Sequence, residues 1–223
     1  MTASPFEKYK ATAYPHRFRA ELLVGTIAGG TPTNQHVAEA WLRTKLAASD
    51  DLIREAVAAT MVERGVTADE AAKLVDEGRH LNGFRRDEHG LYIEGRQVKA
   101  AIKEAANVAA AAGKIPGKKY GLTNKGLLGF VAEHIFVTED RIPLGVTEPS
   151  GIIQRFVHTW RGAGIQYEEY VEDAKVAFSV ATDWVFPEEF WAQLWLTGEQ
   201  QGIGASRSQG FGRYTVTAWE RLT

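Results

Sequence analysis

From Arg17 to Ala28 the chain alternates, with Phe18, Ala20, Leu22 and Val24 on one side and Arg17, Arg19, Glu21 and Leu23 on the other. A period of two predicts a half-buried strand, and Gly29-Gly30-Thr31-Pro32 breaks it. From Asn34 to about Leu81 the pattern turns helical and alanine-rich. Val37, Ala40, Trp41 and Ala48 share one face, and Asp50 opens a second helix through Leu52, Ile53, Ala56 and Val57 to Gly65. Thr67 and Glu70 form a capping box for a third helix.

Gly83 to Gly95 predicts a hairpin turning at Asp87-Glu88-His89-Gly90, with Leu91 and Ile93 inward. A helix follows from Gln97 to Ala112, its buried face made of Val98, Ala101, Ile102, Ala105 and Ala109. Strands are expected over Ala132–Thr138, Ile152–Trp160 and Glu172–Asp183. Pro187 opens a helix with the apolar face Phe190, Trp191, Leu194 and Trp195. In the closing strand Tyr214, Val216 and Ala218 alternate with Thr215, Thr217 and Trp219. Without the alanine-rich block the order is strand, helix, strand, strand, helix, strand. That is the α+β, ferredoxin-like or RRM-like βαββαβ plan. The expected division is a core of residues 1–33 and 83–223, with a helical insertion at 34–82 after the first strand.

Composition narrows the partners. In 223 residues there is no cysteine, so disulfides and cysteine-based zinc sites are excluded. The opening MTASPFEKYK has no apolar signal-type core, and no run reaches about 18 apolar residues. The expectation is a soluble, cytoplasmic protein. A formal net charge of −2 argues against coating nucleic acid by bulk charge, so any such site must be a local basic patch.

The helix over 187–201 and the last strand are joined by GIGASRSQGFG. Its glycines at 202, 204, 210 and 212 permit positive φ and leave backbone N–H groups bare for a phosphate nest. Ser206, Arg207, Ser208, Gln209 and Arg213 add side-chain donors. Glycines needed only for close packing are the alternative. The loop follows a helix and precedes a strand, the reverse of a dinucleotide site. Gly117-Lys118-Lys119 lacks the rest of a P-loop.

The run G-x-G-x-x-R-S-x-G-F-G-R before a final strand resembles the signature of the RAMP superfamily (repeat-associated mysterious proteins), the RNA-binding subunits of CRISPR ribonucleoproteins. Leu91 to Ala105 is similar to the strand–glycine–helix segment of backbone-type members, although Glu94-Gly95-Arg96-Gln97 replaces their usual Pro-Gly-Ser-Ser. A divergent, phage-borne relative is an equal reading. The resemblance implies an RRM-like core and a non-catalytic subunit that holds a single-stranded RNA backbone. It also implies self-association, into a filament for example, or other ribonucleoprotein subunits as partners, with no cofactor.

Helical spacing places Arg96, Lys99 and Lys103 within roughly one 60° sector, opposite the apolar face. Three such cations suit a phosphate backbone or an ordinary solvated face. Lys114, Lys118, Lys119 and Lys125 surround Tyr120 in the next loop, a mixture that suits single-stranded nucleic acid or a solubilising loop. The candidate RNA-binding residues are Arg96, Lys99, Lys103, Lys118, Lys119, Gly202, Gly204, Arg207, Ser208, Gly210, Gly212 and Arg213. No histidine has a metal-ligand spacing, and no metal is expected. His80 and His89 flank Arg85-Arg86 and are the only weak catalytic candidates, for metal-independent RNA cleavage. His134 and His158 read as structural. In target-cleaving RAMP subunits a catalytic aspartate follows the first strand, and Gly29 to Gln35 holds no carboxylate. Two other readings stay open: that endoribonuclease, and a phage structural or interaction protein without RNA.

Overall fold

The structure is a computed structural model and describes residues 10–32, 58–59, 61–62, 67–68, 80–115, 127–159 and 162–222. The chain runs through α1 (Lys10–Ala13), β1 (His16–Ala28), β2 (Thr31–Pro32), β3 (His80–Gly83), β4 (Arg85–Asp87) and β5 (Gly90–Glu94). It continues with α2 (Gly95–Ala111), α3 (Leu127–His134), β6 (Ile135–Val137), β7 (Arg141–Pro143) and β8 (Gly151–Thr159). The last elements are β9 (Gly162–Thr182), α4 (Glu188–Gln201) and β10 (Tyr214–Arg221).

These elements form two compact units. The first holds residues 1–27, 85–148 and 171–223. Its strands lie in the order β10, β1, β9, β6, and α2 and α4 pack on each other. With α2 between β1 and β6 and α4 between β9 and β10, this is the ferredoxin-like βαββαβ arrangement in an α+β fold. The burial of β1 alternates from Ala20 to Val24 as its sequence pattern requires. A small sheet of β4, β5 and β7 belongs to the same unit.

The second unit holds residues 28–84 and 149–170. Here β2 pairs antiparallel with β3, β3 runs parallel to β9, and β8 pairs antiparallel with β9 from Gly151–Tyr170 to Thr159–Gly162. Gly29 packs where a Cβ would come 2.4 Å from the Gly83 carbonyl carbon. The buried carboxylate of Glu169 accepts the Phe84 N–H at 2.9 Å. Most of the alanine-rich block at 34–82, including the Thr67–Glu70 capping box, lies outside the described residues, as do Lys118, Lys119, Tyr120 and Lys125.

Several elements differ from the sequence pattern. Residues 132–134 are the end of α3 and not strand; the short apolar run Leu127–Ala132 continues through His134 as about two helical turns, and periodicity cannot separate such runs from strand. His80 to Gly83 are strand, held by pairing to β2 and β9, where the pattern continued a helix to Leu81. β9 starts at Gly162 and passes straight through Glu168 and Glu169, which the sequence placed between strands. α2 starts two residues early because the Glu94 N–H donates to the Gln97 side chain at 3.1 Å, closing the first turn. Pro187 caps α4 from outside the helix.

The closing strand departs most informatively. Leu22 pairs with Val216 but Glu21 pairs with Ala218, so Thr217 is an extra residue in a β-bulge. Its hydroxyl donates to the Glu21 carbonyl at 3.1 Å, and the Val216 N–H donates to Glu199 at 2.9 Å. The bulge shifts the pleat by one residue and brings Trp219 opposite Ala20, on the helix side. Trp219 there stacks on Phe18 (4.6 Å between centroids) and meets Trp191 (4.9 Å) and Trp195 (5.2 Å). The aromatic face of α4, with Phe190, Trp191, Leu194 and Trp195 all buried, is therefore core.

Gly198 sits on α4 where it approaches α2, and a Cβ there would lie 2.1 Å from the Tyr214 hydroxyl and 3.6 Å from the Ala105 Cβ. Glycine to alanine in a helix ordinarily gains about 1 kcal/mol. Gly198→Ala is expected to lose about 1–3 kcal/mol instead through overpacking, read as a lower urea midpoint. Burial, and secondarily the charge of Glu199, raise the pKa of Tyr214 above its usual value of 10.0. The folded state therefore holds that proton more tightly, and its contribution is intact below pH 10 and lost as pH rises further. The unfolding midpoint of Tyr214→Phe should accordingly match the pH trend of the parent up to about pH 10 and fall less steeply than it above that pH.

Candidate nucleic-acid interface

α4 ends at Gly202, and the glycine loop turns through left-handed backbone at Gly202 (φ 77), Gly204 (82), Ser206 (55), Gly210 (91) and Gly212 (74). Its two ends are clamped together. The Ile203 N–H donates to the Gly212 carbonyl at 2.9 Å, and the Gly212 N–H donates to Thr26 of β1 at 2.7 Å. A Cβ on Gly212 would stand 1.8 Å from the Ile203 carbonyl oxygen, and one on Gly202 would stand 2.7 Å from that of Phe211. Close packing thus accounts for Gly202 and Gly212. Gly210 has open space around it and serves the turn Arg207–Gln209, where the Gln209 and Gly210 N–H groups donate back to Ser206 and Arg207.

The loop tip lies against α2 and forms a polar groove of about 510 Å³ lined by Glu104, Gln200, Gln201, Gly204, Ser206, Arg207 and Ser208. Arg207 Nη2 pairs with Glu104 Oε2 at 2.5 Å. Arg207 Nη1 is buried and has no hydrogen-bond partner among the described residues. Ser208 and Arg213 are exposed.

The cations of α2 are partly engaged. Arg96 Nε donates to Glu94 at 2.8 Å, and Glu94 also pairs with Arg85 at 3.3 Å. Lys99 Nζ sits 4.4 Å from the centre of the Phe136 ring, which meets Tyr14 edge to face at 4.8 Å. Partial burial, then the charge of Lys103, lower the Lys99 pKa, so an anion beside this pair would be welcome. Lys103 and Glu104 are successive residues of α2 and point about 100° apart, so the cation row and the groove lie on neighbouring sides of the helix.

His89 lies exposed in the β4–β5 turn, its ring 3.4 Å from Glu88. The His89 backbone N–H donates to Asp87 at 2.9 Å, which with the Arg141 guanidinium lowers the Asp87 pKa despite some desolvation. His80 lies in β3, in the other unit. His134 ends α3 and bonds Asp183 at 2.8 Å while its ring packs on Phe130. Among the described residues no group of His, Asp or Glu could hold a metal ion, and no helix is long and apolar enough to cross a membrane.

The groove residues Glu104, Gln200 and Gln201 were not singled out from the sequence. Only the loop's return onto α2 brings them to Arg207. Phe136 was likewise hidden inside a short apolar strand.

No family model matches the chain, and no curated protein matches it. Among solved structures it is similar to a chain of the cryo-EM structure of the Type III-B Cmr-beta bound to cognate target RNA. The TM-score is 0.45 at 10% identity, and the match covers 96% of this chain. The chain spans 63% of the length of that neighbour.

Gly212→Ala should destabilise far more than Gly210→Ala. The first forces two backbones apart. The second costs only the left-handed conformation of alanine, about 1–2 kcal/mol. Urea unfolding of both variants checks the division of labour within the loop.

Proposed function

We propose that this protein is a cytoplasmic, non-catalytic RNA-binding subunit of RAMP type that holds a single-stranded RNA and self-associates along it. The observation that carries this reading is the position of the glycine loop. It joins the last helix to the last strand of a βαββαβ unit and closes a polar groove against the helix that bears Arg96, Lys99 and Lys103. Lys99 and Lys103 are close enough for one to depress the pKa of the other. Such a pair favours a phosphate between them, because the anion relieves their repulsion. The groove then receives the adjoining nucleotide. The net charge of −2 requires this local arrangement, since the surface as a whole offers no general attraction to RNA.

Fluorescence anisotropy with a labelled single-stranded RNA, over a series of salt concentrations, tests the proposal. Lys99→Gln and Lys103→Gln should each weaken binding and reduce the salt slope by about 0.7. Absence of saturable binding throughout the series, down to about 0.05 M salt where phosphate contacts are strongest, would refute it. Size-exclusion chromatography before and after nuclease treatment reads self-association. An RNA-dependent assembly should shrink on digestion.

A further inference from the structure

The groove beside the glycine loop is not shaped for phosphate alone. Glu104 presents its carboxylate to Arg207, with Oε2 2.5 Å from Nη2. A phosphate drawn to Arg207 would meet that like charge. The guanidinium is planar with five donors in a fixed fork. Glu104 holds Nη2, and Nη1 is buried without a partner among the described residues, so a ligand in the groove meets the guanidinium at its remaining N–H groups. Gln200, Gln201, Ser206 and Ser208 complete the lining with groups that both donate and accept. The lining thus has one cation, one anion and otherwise neutral polar groups.

What complements this set is a neutral, planar group with donors beside an acceptor. Bases of single-stranded RNA present such edges and are read by hydrogen bonds to them. Guanine offers two adjacent donors, N1–H and N2–H, next to the acceptor O6. Adenine places a bare nitrogen where guanine has N1–H, and that lone pair would face the carboxylate. Uracil has one donor between two acceptors. We infer that the groove formed by Glu104, Arg207, Gln200, Gln201, Ser206 and Ser208 is a guanine-reading pocket, in which Glu104 accepts from N1–H and N2–H and Arg207 donates to O6. For its ligand's source the inference rests on the RNA-binding reading. It adds that one base is chosen while the lysines of α2 hold the strand without regard to sequence.

Guanosine, which carries no phosphate, separates the two ideas. Titrated into the full chain and followed by NMR shifts, it should bind saturably and at least about tenfold more tightly than adenosine. Glu104→Gln replaces a surface side chain and should abolish that preference with little change in melting temperature. Should it fail to fold, Arg207→Lys, which keeps the charge and loses the fork, should show the same loss. A uridine-rich RNA with a single G should likewise outcompete one with a single A. Equal binding of the two nucleosides, or an unchanged preference in both variants, overturns the pocket. So does Glu104→Gln tightening all RNAs alike, which would reduce Glu104 to a phosphate repellent. RNA binding without guanine preference sinks this inference alone. Guanosine binding without RNA binding sinks the RNA reading alone.

Discussion

The backbone contact between Gly212 and Ile203 is the point on which the loop and the groove beside it depend. It leaves no room for any side chain at Gly212, and it lets one short segment bond both to the end of α4 and to Thr26 in β1. Arg213 follows at once, and its carbonyl accepts the Gly25 N–H at 3.1 Å, which continues the hold on β1. With both ends tied within a few residues, the intervening tip is short, and its turn at Arg207–Gln209 points a guanidinium at α2. A loop free at either end would lose more entropy on arranging those polar groups, and any ligand would bind more weakly for it.

Beneath the loop, the aromatic layer fixes the helices. Trp191 and Trp195 of α4 reach Trp219 only because the bulge at Thr217 moves that residue to the helix side. The same bulge turns the Val216 N–H toward Glu199, so a carboxylate of α4 satisfies a strand donor. Helix, bulge and strand are thus joined by both stacking and hydrogen bonding, and Gly198 leaves room on α4 for the Tyr214 hydroxyl.

Charge on this face is arranged in small paired groups. Arg96 is held by Glu94, Lys99 by an aromatic ring, and Arg207 by Glu104. Each pairing lowers the cost of keeping a cation ordered before a ligand arrives, and each also sets a competitor that the ligand must match. With a slightly negative net charge, such pairing leaves little general attraction for polyanions.

Much of the fold was legible in the chain itself. Period-two burial in β1, the apolar face of α2, the aromatic face of α4 and the glycines of the last loop all follow from local pattern, since each reports how one element meets the core. These suffice for the βαββαβ order. They also mark Arg207 and the lysines of α2 as polar groups outside the apolar core. What the pattern could not supply is whatever depends on partners distant in sequence. Residues 80–83 become strand by pairing, Trp219 changes face through a register shift against β1, and Glu168 and Glu169 sit inside β9 because strand pairing satisfies their backbone. The glycine loop was ambiguous for the same reason. Local sequence allows either packing or binding, and only the tertiary contacts show Gly202 and Gly212 packing on backbone while Glu104, from a helix far along the chain, faces Arg207.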